Sequence, residues 1–296
     1  MPHINEYMIN HILQYNIVGH VVELDTSSLS DDTRIKHRYH KIVIDSNQIV
    51  TPMPIAILRL CHNNTTGQLL DVLYNSVAEG GIVCLDRQYE EFFRNHPYLV
   101  SKKQDNNTYF IKPYETRENM IASLIPKNGI YGEIGVFKGE FAKWLTECLK
   151  PKKLYLYDLF EGITCSGNAD GNNVVNADIS TEYENLKRWA PPNVIFFKGD
   201  SSLNISIMPD NYFDMIYIDG DHSYEGVKRD INVAFKKVKP GGFIMGHDYE
   251  MNMKKAHNYY NFGVDRAVND FCQLSGQEIF TKALDGCVSF AIKVKK

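Results

Sequence analysis

Gly129-Ile130-Tyr131-Gly132-Glu133-Ile134-Gly135-Val136-Phe137-Lys138-Gly139-Glu140 is the stretch that decides the fold. A short apolar run ends in a glycine-rich turn, and FAKWLTECLK (141–150) follows with the apolar spacing of a helix. Glycines at a strand-to-helix join let the backbone approach a ligand closely, and the helix start offers free N–H groups. The spacing is not the G-x-G-x-x-G of dinucleotide folds. Glu133 inside the turn suits a ligand that carries an ammonium group.

Working outward, strand-like and helix-like stretches alternate: KKLYLYDLF (152–160), TEYENLKRWA (181–190), NVIFFKG (193–199), FDMIYIDG (213–220), YEGVKRDINVAFKKV (224–238), FIMGHDY (243–249), GVDRAVNDFCQL (263–274) and CVSFAIKV (287–294). The long helix has apolar Val227, Ile231, Phe235 and Val238 at helical spacing, and Pro240-Gly241-Gly242 is a turn. Such alternation predicts an α/β fold: a Rossmann-like, mostly parallel sheet with helices on both faces.

The chain divides, on this reading, into an N-terminal auxiliary α/β region (1–115) and a main domain (116–296), with ENMIASLI (118–125) as a connecting helix. The first region echoes the last strands of the second. HRYHKIVIDSN, with Asp45, resembles NYFDMIYIDGD, with Asp219; Gly80-Gly81 matches Gly241-Gly242; YLVSKKQDNNTYFIKP matches ALDGCVSFAIKVKK. The echo predicts a degenerate half-repeat, from about residue 35 to 113, without a cofactor-binding first half. A half-domain leaves strand edges to cover, so a homo-oligomer is expected.

Polar residues close the strands of the main domain. Asp158 ends the second, where a carboxylate accepts from both hydroxyls of a ribose or caps a helix. Asp200-Ser201 follow the third, as acceptors for an adenine amino group or as caps. Asp219, Asp221 and His222 follow the fourth, and His247-Asp248 the fifth. In parallel sheets these ends converge where ligands bind.

Taken in order, GEIGVFKGEFAKWL, DLFEG, KGDSS, IDGDHSYEGVKRDI, PGGFIMGHDY and GVDRAVNDF resemble the motifs of class I S-adenosylmethionine-dependent methyltransferases. They are most similar to the group that includes macrocin-type and other sugar O-methyltransferases. The resemblance covers about the last 165 residues and implies S-adenosylmethionine as cofactor, held by Glu133, Gly135, Gly139, Asp158, Asp200, Ser201 and Asp219. It also implies a divalent metal, usually Mg2+, on Asp219 and Asp248 with Glu161 as third ligand. Some relatives have two consecutive aspartates where this chain has His247-Asp248. Methylating a hydroxyl requires that its proton leave, which a base or a metal achieves. The base is His222 or Asp221, and His222 is preferred because its ordinary pKa lies nearer neutrality. The acceptor is then a small molecule, a sugar or glycoconjugate precursor.

Composition restricts the alternatives. A net charge of −4 disfavours a nucleic-acid partner. Six scattered cysteines without a C-x-x-C pair fit reduced thiols rather than a disulfide framework. The start, MPHINEYMINHILQYN, lacks the features of a signal peptide, and no apolar run reaches the ~20 residues of a membrane span. A cytoplasmic protein is expected. Two other readings are an RNA or protein methyltransferase on the same fold, and a non-catalytic scaffold derived from one. Residues 166–176 read as a loop near the cofactor. Tyr249, Tyr259 and Tyr260 read equally as an acceptor lid or as ordinary loop aromatics. His247 reads as a core histidine or cap neighbour rather than a ligand.

Overall fold

The computed structural model describes residues 21–23, 41–43, 53–57, 77–84, 100–104, 107–161, 180–251 and 263–296. The loop at 166–176 and Tyr259-Tyr260 lie outside the described residues. The chain forms two compact units, Met1–Tyr114 and Glu115–Lys296.

In the second unit, helix α1 (Arg117–Leu124) leads into β7 (Ile130–Ile134), α2 (Glu140–Leu149), β8 (Lys153–Asp158), α3 (Ser180–Trp189), β9 (Val194–Lys198), α4 (Ser201–Ser206), β10 (Phe213–Ile218), α5 (Tyr224–Lys237), β11 (Val238–Met251), α6 (Val264–Ser275), β12 (Ile279–Ala283) and β13 (Cys287–Lys293). The seven strands order as β12-β13-β11-β10-β7-β8-β9. Strands β9, β8, β7, β10 and β11 run parallel, and β13 returns antiparallel between β11 and β12. This is the Rossmann-like class expected from the alternation.

The residues explain the elements. In β7 four of five residues are buried and in β8 the middle four, as central parallel strands covered on both faces require. Helix α2 buries Ala142, Leu145 and Leu149, one stripe at helical spacing. Ser223 starts α5 by accepting from the Gly226 N–H at 3.1 Å, and α5 buries Val227, Ile231 and Ala234. Chain order along the sheet reverses at β7, between β8 and β10, and the C-terminal strand ends at such a reversal are where open parallel sheets bind ligands.

The first unit has strands β1 (Val21–Glu23), β2 (Lys41–Val43), β3 (Met53–Ile57), β4 (Val77–Cys84), β5 (Val100–Gln104) and β6 (Asn107–Ile111), in the order β2-β1-β3-β4-β6-β5. With β9 set aside, the second sheet has the same order and the same strand directions: β8-β7-β10-β11-β13-β12. The irregularity is shared too. Met53 faces Val77 and Ile55 faces Ile82, just as Phe213 faces Val238 and Met215 faces Phe243.

This topology departs from the half-repeat read in the sequence. Gly80-Gly81 and the closing hairpin fall at matching strands, but Lys41–Val43 lies beside β1, at the place of β8 and not of β10. Asp45 therefore does not answer to Asp219, and the first-half strands have counterparts in β1 and β2. Short apolar runs such as KIV and PIAI look alike locally, whereas a strand's place in a sheet is set by nonlocal pairing.

Candidate active site

The turn after β7 takes the conformations its glycines permit. Gly135 has φ +82°, and a Cβ there would run into the backbone carbonyl of Asp219. Gly139, φ +76°, precedes α2, and a Cβ there would collide with Leu186 of α3. Glycine is the residue that adopts this backbone at no steric cost. Just before the turn, in β7, Glu133 is 1% exposed, and its Oε2 has no hydrogen-bond partner among the described residues. Burial, reinforced by the Asp219 charge, pushes its carboxyl well above the usual range.

Asp158 organises this turn. Its Oδ2 accepts from the N–H groups of Val136 at 2.7 Å and Phe137 at 3.0 Å, and its Oδ1 from that of Phe160 at 2.9 Å. A carboxylate oxygen has capacity for more than one donor, so these bonds leave room for a ligand hydroxyl. Asp200 caps α4, accepting from the Leu203 N–H at 2.9 Å and the Ser202 hydroxyl at 2.6 Å, and both bonds hold its carboxyl below the usual range. Ser201 donates to Asp230 of α5 at 2.7 Å. Burial raises the Asp230 carboxyl to about 6.

A second cluster forms where β10 and β11 end. Ligand atoms of Asp219, His247 and Asp248 all lie within 4.8 Å of one another. The ladder between β11 and β13 breaks between Gly246 and Glu250, and Asp248 takes φ +56°. A bulge of this kind re-aims side chains that strict alternation would send to opposite faces. His247 Nδ1 and His222 Nε2 stand 3.3 and 3.2 Å from Asp248 Oδ2. His222 Nε2 is also 3.5 Å from Asp219 Oδ1, and His247 Nε2 is 3.7 Å from Asp285 Oδ2. Burial alone would raise Asp248, but the His247 hydrogen bond and the charges of both histidines outweigh it and hold it low. Burial would lower His247, yet Asp248 and Asp219 keep it above the ordinary histidine value.

Of the residues singled out in the sequence, Glu133, Gly135, Gly139 and Asp158 meet at the turn, and Asp219, His222 and Asp248 meet at the second cluster. His247 joins that cluster rather than the core. Three residues sit differently. Asp221 is half exposed, accepts from the Ser223 N–H at 2.9 Å and lies 3.6 Å from Arg229, so it serves the entry to α5. Glu161 is 68% exposed and pairs with Lys198 at 3.1 Å, outside the Asp219–His247–Asp248 group. Asp200 caps α4, as its place before a helix allowed.

Two residues of the cluster were not foreseen. Arg117, at the start of α1, lies 3.3 Å from Asp219 Oδ2, with its guanidinium 4.3 Å above the Phe141 ring. Asp285, in the turn before β13, accepts from the Arg117 backbone N–H at 3.3 Å and from Ser289 at 3.2 Å. Neither position stands in a motif; each is brought in by folding.

Comparison with known proteins adds to this geometry. Residues 133–249 match a family model described as a methyltransferase domain. An uncharacterised protein of Acanthamoeba polyphaga mimivirus is 30% identical over 137 residues, which is 45% of this chain and 57% of that protein. The chain thus spans little more than half the length of that relative. Similar solved structures include the O-methyltransferase NovP (17% identity, 61% of this chain and 80% of that one, TM-score 0.43). The N-methyltransferase NodS of Bradyrhizobium japonicum WM9 is 15% identical, over 61% of this chain and 95% of that one, with TM-score 0.42. A methyltransferase of Streptococcus mutans solved with S-adenosylhomocysteine is 14% identical, over 60% and 94%, with TM-score 0.40.

Proposed function

We propose that the second unit, whose residues 133–249 match the methyltransferase-domain model, moves a methyl group from S-adenosylmethionine to a hydroxyl of a small molecule, of the sugar or glycoconjugate-precursor class. One observation carries this reading: Glu133, fully buried near the end of β7 just before the glycine turn, keeps an acceptor oxygen without a partner among the described residues. A buried polar atom left so costs free energy unless something donates to it. The ammonium group of a methionine moiety is a donor of the right charge.

The remaining roles follow from placement. Asp158 has acceptor capacity for ribose hydroxyls while it braces the turn. Methyl transfer from a sulfonium is an in-line displacement, for which the protein chiefly aligns the acceptor and excludes water. His222 is the base we assign, since its ring lies at the end of β10 against Asp219 and Asp248, whereas Asp221 faces α5. Asp219 and Asp248, with His247 in reach, would hold a divalent cation such as Mg2+. Such a cation, when bound, makes a coordinated hydroxyl more acidic. Glu161 has no part in this reading.

Calorimetric titration with S-adenosylhomocysteine, with and without Mg2+, tests the cofactor reading. Saturable binding supports it, and its absence under both conditions overturns it. Metal assistance is tested separately: activity that survives exhaustive chelation, with no metal retained, excludes it.

A further inference from the structure

The cluster holds a cation that the roles above do not use. The Arg117 side chain is only 23% exposed. Its Cζ lies 4.3 Å from the centre of the Phe141 ring on α2, the helix that follows the glycine turn, and Nη1 bonds the Tyr217 hydroxyl at 3.4 Å and Asp219 at 3.3 Å. Nε contacts Glu118 at 3.4 Å and Asp285 at 3.9 Å. Nη2 has no partner among the described residues. The acidic neighbours keep the group charged and fix its plane, which leaves one edge of the fork to offer. The charges of Arg117 and Glu133 act on each other, yet the two are not paired.

We propose that Arg117 binds the carboxylate of the methionine moiety of S-adenosylmethionine, opposite Glu133 at its ammonium group. The proposal rests on the methyltransferase reading. An amino-acid head is a zwitterion, so a site that selects it needs an anion and a cation side by side that do not neutralise each other. Arg117, on α1, supplies the cation, and Glu133, on β7, the carboxyl group whose ionised form an incoming ammonium group stabilises. With Nε and Nη1 engaged, Nη2 is left to offer to a carboxylate, and the rigid guanidinium plane is what distinguishes arginine from lysine here. Asp219 and Asp285 are then positioning residues that set the plane of the fork.

The test compares three ligands by calorimetry: S-adenosylhomocysteine, its decarboxylated analogue, which keeps the amine, and methylthioadenosine, which lacks the whole amino-acid head. Wild-type protein is expected to bind S-adenosylhomocysteine roughly 10- to 100-fold more tightly than the decarboxylated analogue, the range of a charge-assisted hydrogen-bond pair. In Arg117→Met that difference disappears while methylthioadenosine binding is unchanged, and Arg117→Lys restores part of it. Equal wild-type affinity for the first two ligands overturns the proposal without any variant, so a variant that fails to fold leaves it falsifiable. Equal weakening of all three in Arg117→Met also overturns it, because the residue is then only structural. Wild-type protein that binds none of the three overturns the methyltransferase reading itself.

Discussion

The two sheets share strand order, strand directions and the two-against-five step between their third- and fourth-position strands, yet among the described residues the candidate cofactor site lies in the second. Superposing that step sets Val21, which pairs with Ile55, against Tyr131, which pairs with Met215. Glu23 then occupies the register of Glu133. Pairing of β2 with β1 sets Lys41 against Leu154, so Asp45 stands at the sequence offset of Asp158. The turn is where the units part. Gly135-Val136-Phe137-Lys138-Gly139 in the second unit answers to a stretch without glycine in the first, DTSSLSDDT from Asp25. The first unit thus repeats the strand order of the second and, in sequence, its acidic residues at those offsets, but not the glycines of its turn. The pattern of apolar strands suffices for the sheet; the turn of the second unit needs the left-handed backbone that Gly135 supplies, and the first unit has Asp25 at that sequence offset.

The comparison breaks most readily at Gly135. Gly135→Ala adds a Cβ against the Asp219 carbonyl at a positive φ. Its affinity for S-adenosylhomocysteine, measured by calorimetry, is expected to fall by at least ~100-fold, since backbone and carbonyl both resist the change. Asp25→Ala is expected to leave that affinity unchanged; equal losses in the two variants would mean that the first unit also contributes a site.

Next in size is the base. His222→Gln is expected to lower kcat by ~10²–10⁴-fold, the usual contribution of a general base, with little change in cofactor affinity. Asp221→Asn should leave kcat nearly intact, because Asp221 faces Ser223 and Arg229. A reversed order of effects would restore Asp221 as the base. Asp158→Ala removes the acceptor of two backbone N–H groups at the turn and of a third, Phe160, after β8, and a loss of roughly 10- to 100-fold in S-adenosylhomocysteine affinity is expected. Asp45→Ala sharpens the contrast if it costs nothing.

A further effect, on stability rather than binding, concerns packing of α4 on α5. Asp230 has a carboxyl raised to about 6 by burial. Its ionised form is therefore disfavoured in the fold, and native stability declines as pH rises from about 4 through 6. Asp230→Asn keeps an acceptor for Ser201 and escapes that penalty. It is expected to exceed wild type in denaturant stability by up to about 3 kcal/mol at pH 7.5, with the gap closing below pH ~4. An unchanged gap across that range would show that Asp230 is not penalised by burial.

Much of the site was legible because its residues lie at strand ends next to turns with marked chemistry. Glycine at 135 and 139, and carboxylates at 133, 158, 219 and 248, need only the strand–turn–helix grammar to be placed. Arg117 and Asp285 were not legible: Arg117 lies 102 residues from its partner Asp219, on a helix that reads as a mere connector. Glu161 follows Asp158 closely enough to suggest the cluster, but its side chain turns to Lys198. Strand β12 and helix α4 were missed for another reason. IFTKA has weak alternation and SSLNIS is too short for a helical stripe, so pairing and capping decide them. The place of β2 was misread because neighbours in a sheet are chosen by the whole chain.

The measurement that tests the central claim most directly is the stoichiometry of S-adenosylhomocysteine binding to the full chain, with Glu133→Gln and Glu23→Gln beside wild type. The account predicts one site per chain, abolished or weakened at least tenfold by Glu133→Gln and untouched by Glu23→Gln, as the loss of a charge-assisted pair requires. Two sites per chain, or a loss in Glu23→Gln, would contradict it.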